Sequence, residues 1–84
     1  MIYIIFTRDG FEQARDEVLA NQATLWLNDD VLDEDEQQQW QTQGISINLL
    51  PQRVNTDSEK AVLAALAFVE KQVAKNEEIF IEYV

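Results

Sequence analysis

Hydrophobic and polar positions follow two different periods along this chain, and they change over at turn-forming residues. Ile2–Phe6 is apolar at every position, the pattern of a strand buried on both faces. Phe11, Ala14, Val18 and Leu19 then recur at helical spacing, with Glu12, Arg15 and Asp16 between them. This predicts an amphipathic helix, opened by a capping box of Asp9 with Glu12. Thr24–Leu27 predicts a second strand, and Asn28-Asp29-Asp30 a turn after it.

The middle of the chain is more polar. Asp33 with Glu36 forms a second capping box, predicting a helix from about Glu34. Trp40 is the one large apolar residue in that helix, which is otherwise acidic and then glutamine-rich. Leu32 is expected to pack against Trp40 from the preceding turn, and Gly44 occupies the left-handed stop position. Ile45–Leu50 predicts a third strand, ended by Pro51, which lacks an amide for the ladder. After a loop over Gln52–Asn55, Thr56 with Glu59 makes a third capping box. A long helix follows to about Lys75, with Val62, Ala65, Leu66, Val69 and Val73 on one face. Ile79–Tyr83 predicts a fourth strand. Glu82 interrupts its apolar character, the mark of an edge strand or of an exposed strand end.

Strand–helix alternation of this kind implies parallel pairing through right-handed crossovers. The expected architecture is a single small α/β domain with an open four-stranded, mostly parallel sheet and three helices. The strand order stays open, as does the distribution of helices over the two faces.

Composition narrows the chemistry. With no cysteine and no histidine among 84 residues, thiolate–metal sites and serine–histidine or cysteine–histidine nucleophile systems are excluded. The two glycines, Gly10 and Gly44, are far apart, so no phosphate loop or dinucleotide fingerprint exists. The net charge is -10. Residues 1–43 hold ten acids and two arginines, and six of the eight residues from Asp29 to Glu36 are acidic. Such a surface repels nucleic-acid backbones and anionic membranes, and it attracts a basic protein or a cation. No apolar run approaches a membrane span. The absence of cysteine fits a reducing compartment, and a cytoplasmic location is the expectation.

In parallel α/β sheets, ligands bind at the carboxyl ends of the strands. The loops there nominate Arg8, Asp9, Asn28, Asp29, Asp30, Gln52 and Arg53. Asp9, Asp29 and Asp30 are the oxygen ligands that Mg²⁺ would need, and Arg8 and Arg53 would hold a phosphate or carboxylate. Asp33, Glu34, Asp35, Glu36 and Trp40 are the candidate contacts for a protein partner.

Acids after successive strands are also carried by metal-binding Toprim-type folds. Here Asp29 and Asp30 are adjacent rather than spaced D-x-D, and Phe6-Thr7 ends the first strand with no glutamate. The catalytic residues of that family do not carry over. The opening strand and Leu25-Trp26-Leu27-Asn28-Asp29-Asp30-Val31 resemble the small sulfur-relay α/β proteins. The persulfide role that this resemblance implies needs a cysteine, which the chain lacks.

Three roles follow. The leading expectation is a small non-catalytic interaction or regulatory domain acting through its acidic face or as a homodimer through the fourth strand or the sheet face it borders. An inhibitor or mimic that binds a basic protein is a special case. The alternative is a strand-edge site for Mg²⁺-dependent phosphoryl chemistry or for sensing a small anion.

Overall fold

The computed structural model describes residues 1–83. Its elements, in order, are β1 (Ile2–Ile5), α1 (Arg8–Asn21), β2 (Thr24–Leu27), α2 (Glu34–Thr42), β3 (Ser46–Leu49), α3 (Glu59–Gln72) and β4 (Ile79–Glu82). The four strands form one sheet in the order β3-β2-β1-β4, parallel throughout. The expected α/β architecture is therefore present, and β4 is an edge strand, one of the two readings that Glu82 allows.

Register explains how the two sheet faces are filled. Tyr3, Leu25, Ile47 and Phe80 lie side by side, as do Ile4, Trp26, Asn48 and Ile81. Side chains alternate along a strand, so these two rows point to opposite faces. On the first face Tyr3, Ile5, Leu25 and Leu27 pack with Phe11, Ala14 and Val18 of α1 and with Trp40 of α2. On the second, Ile2, Ile4 and Phe6 pack with Val62, Ala65 and Val69 of α3, flanked by Trp26, Ile79 and Ile81. Two helices thus cover one face and one covers the other. That is why β1, the strand between both helix layers, is apolar at every position and wholly buried. Trp26 meets Phe68 edge-on at 5.6 Å. Among the described residues its Nε1 is a buried side-chain donor without a hydrogen-bond partner.

The helix ends correct two of the expected caps. α1 begins at Arg8, and its cap is Thr7, whose hydroxyl accepts from the Gly10 amide at 3.0 Å. Asp9 lies inside the first turn, where a carboxylate complements the helix dipole. α3 is capped by Ser58, which accepts from the Ala61 amide, rather than by Thr56. A local turn delays that start. The Asn55 side chain accepts from the Asp57 amide and the Asn55 carbonyl accepts from the Ser58 amide. α3 also stops at Gln72, because Val73 is already extended. By contrast, Asp33 and Glu36 form the reciprocal capping box expected for α2. Gly44 has φ +90 after that helix, a conformation L residues rarely adopt.

Tyr3 is a buried residue whose part-buried phenol donates to Glu17 at 2.8 Å. Burial, reinforced by the neighbouring carboxylate, pushes its pKa up from 10.0 to about 12. A group whose pKa is raised on folding stabilises the fold below its unfolded value and loses that contribution as pH rises through the folded one. Unfolding is therefore expected to become easier between about pH 10 and 12. Tyr3→Phe should flatten that limb in a pH series of chemical melts. An unchanged alkaline limb in the variant would assign the loss to other groups.

Candidate functional site

The strand order creates the place where a site is expected. From β1 through β2 to β3 the chain advances in one direction, with α1 and α2 on one face. The next connection crosses the other face through α3 and sets β4 on the far side of β1. The direction reverses at β1, and a crevice at the carboxyl end beside such a reversal is where open α/β sheets bind ligands. A crevice of about 330 Å³ is present there, lined by Phe6, Thr7, Asn28, Arg53, Asn55 and Thr56 among others.

Asn28 builds one wall of this crevice and is spent on structure. Only 2 % of it is exposed. Its Nδ2 donates to the Phe6 carbonyl at 2.9 Å and to the Val54 carbonyl at 2.7 Å. Its Oδ1 accepts from the Val54 amide at 2.8 Å. One side chain therefore ties the ends of β1 and β2 to the loop that leads into α3. Buried polar groups are stable only when satisfied in this way. The Asn-Asp-Asp sequence read as a turn does not reveal the role, because Val54 lies far away in the chain.

The two candidate anion-binding arginines are engaged with carboxylates. Arg8 places Nη1 at 2.8 Å and Nη2 at 2.6 Å from the two oxygens of Glu36, a bidentate pair that fastens the start of α1 to the start of α2. It also donates to Glu12 through Nε at 3.2 Å. The hydrogen bond from Arg8 to Glu36, with a second from the Asp33 amide, holds the Glu36 carboxyl below its ordinary pKa, and Glu36 in turn raises that of Arg8. Arg53 pairs with Asp30 at 2.7 Å and is mostly exposed.

The candidate metal ligands do not assemble. Asp9 is exposed on the first turn of α1, Asp29 is exposed in the turn after β2, and Asp30 faces Arg53. Among the described residues no group of three carboxylates is placed to hold a metal ion.

The acidic segment divides into two parts. Glu36 and Asp30 take up the nearby arginines, and Asp33 caps α2. Asp29, Glu34 and Asp35 are exposed, and none forms an ion pair among the described residues. Trp40 is half-buried. It meets Phe11 edge-on at 5.3 Å, and the guanidinium of Arg15 lies 5.4 Å from its ring. It anchors α2, which has no fully buried residue of its own. The expected Trp40 side chain is thus committed to the fold more than to the surface.

Gln52 faces a different feature, an apolar groove of about 160 Å³ between α3 and the loop after β3. Leu50, Pro51, Val54, Ala64 and Phe68 line it. Of the expected site residues only Gln52 reaches this groove. The groove's trace in the sequence is Ala64, an outward-facing position of an already apolar helix. No helix is long and apolar enough to cross a membrane among the described residues. The chain matches no protein-family model, no curated protein and no solved structure.

Proposed function

We propose that this chain is a non-catalytic interaction module that binds a cationic protein surface through the carboxyl edge of its sheet. The observation that carries this reading is the set of exposed carboxylates Asp29, Glu34 and Asp35, which adjoin in sequence the two acids, Asp30 and Glu36, that take up Arg53 and Arg8. Charge left unpaired on one edge of a protein of net charge -10 raises encounter rates with cationic partners and selects against anionic ones. The absence of histidine and cysteine from the sequence supports binding over nucleophilic or general-base turnover.

The test uses a triple variant, Asp29→Asn, Glu34→Gln and Asp35→Asn, which spares the capping residue Asp33 and the Arg8–Glu36 pair. A partner captured on the wild-type protein at low ionic strength should be held roughly tenfold or more weakly by the variant. Its affinity for the wild type should fall steeply with added NaCl as the charges are screened. A partner bound equally by both proteins, or indifferent to salt, would overturn the reading. So would turnover of a specific small molecule.

A further inference from the structure

The longest stretch of this chain without a charged residue runs from Gln37 to Gln52, sixteen residues in a protein of net charge -10. It includes all of β3, and β3 is an edge strand. The two edges of the sheet are therefore unlike. β4 carries Glu82 and follows directly on Glu77 and Glu78, charges of the kind that keep an edge from pairing. The β3 edge has no such protection, and Leu49 on it is 44 % exposed.

The backbone direction can be worked out. The Leu50 amide donates inward to the Leu27 carbonyl at 2.8 Å. Amides alternate in direction along a strand, so Asn48 also faces β2 while Ile47 and Leu49 present their backbone groups outward. Ile47 and Leu49 are two residues apart. An antiparallel partner related by a two-fold axis through Asn48 would set Ile47 opposite Leu49 of the second copy, and Leu49 opposite its Ile47. Both pairs are then of the closely hydrogen-bonded type, each exchanging two backbone bonds. On the helix-covered face of α1 and α2, the same register covers the exposed Leu49 with an isoleucine.

We propose that the outer edge of β3 is a self-association surface, on which a second copy of this chain pairs antiparallel to make one continuous eight-stranded sheet. Charge selects this occupant. Two copies of a strongly acidic chain can meet without facing like charges only where both are neutral, and the edge offers a cationic strand no carboxylate to pair with. A two-fold interface must also be self-complementary, as the reciprocal Ile47–Leu49 pairing is. The antiparallel arrangement points the two carboxyl edges, with their acidic segments, in opposite directions. The proposal is independent of the acid-edge reading, since the triple variant that tests that reading leaves β3 untouched.

Sedimentation equilibrium of the full chain, from micromolar to millimolar concentration, gives the first test. The mass should rise to twice that of the chain, and Leu49→Lys should return it to the single-chain value. Leu63→Lys, at a still more exposed position on α3, should leave the dimer intact. Amide exchange read by NMR gives the second test. The Ile47 and Leu49 amides should slow by roughly tenfold or more between dilute and concentrated samples. A single-chain mass at all concentrations would overturn the proposal, with or without a strand of another protein captured on the edge. So would a dimer that survives Leu49→Lys, or one whose concentration-dependent protection falls on α3 or β4.

Discussion

Asn28→Ala is expected to cost about 4 kcal/mol of folding stability, from three lost hydrogen bonds at about 1 kcal/mol each and the penalty of leaving the Val54 amide buried without a partner. A domain of this size has about 4–12 kcal/mol in total, so the variant loses about a third of its stability or more, and a wild type at the low end of that range would leave it partly unfolded at room temperature. Chemical denaturation followed by far-UV circular dichroism would measure the loss. Asn28→Asp sharpens the test because it keeps the shape. Its carboxylate can still accept from the Val54 amide, but its other oxygen would face the Phe6 and Val54 carbonyls where Nδ2 now donates. Burial beside those carbonyls would raise the pKa of the new carboxyl on folding. Stability tied to a raised pKa is present at low pH and lost as pH rises, so this variant should gain stability on mild acidification. An aspartate variant as stable as wild type at neutral pH would show that the tie contributes little.

Trp40→Ala should have the second largest effect, and a local one. α2 is nine residues long, below the length at which isolated helices persist in water, and Trp40 is its chief apolar anchor. The ring is half-buried, so the loss is put at about 2 kcal/mol, less than for a fully buried tryptophan. The expected result is loss of the α2 helical signal and rapid amide exchange over residues 37–43, with the β1–β2 and β1–β4 ladders still protected. If protection fell uniformly across the sheet instead, α2 would be a cooperative part of the core rather than an appended element.

Much of the fold is legible in the sequence because its physical basis is local. The uninterrupted apolar run of β1 announces burial between two layers, and the Asp33–Glu36 box marks the start of α2 to the residue. The caps at Thr7 and Ser58 are less legible. In each case a D-x-x-E or T-x-x-E pattern nearby offered a stronger local signal. The actual start depends on where the extended chain ends after β1, and on the Asn55 turn before α3. Strand order is not local at all. It follows from α3 crossing the face opposite to α1 and α2, and that choice is made by the whole apolar inventory. The site shows the same division. The acidic edge is plain in the sequence, whereas the Arg8–Glu36, Arg53–Asp30 and Asn28–Val54 ties join segments remote in the chain. Those ties decide which acids stay free and which residues are structural.

The position of β4 has a consequence for how the molecule comes together. Ile2 pairs with Ile79, so the first strand finds one of its neighbours among the last residues of the described chain. The stretch from β1 to β3 pairs only successive strands and can collapse from contacts between adjacent elements. It would then expose Ile2, Ile4 and Phe6 on the face that α3 later covers. Long-range parallel pairing is slow because the loop-closure entropy must be met before the contacts form. Folding should therefore show an early phase that protects β1–β2–β3 and a later one that docks α3 with β4. In the interval between them, the sticky species is a three-stranded sheet with one bare side.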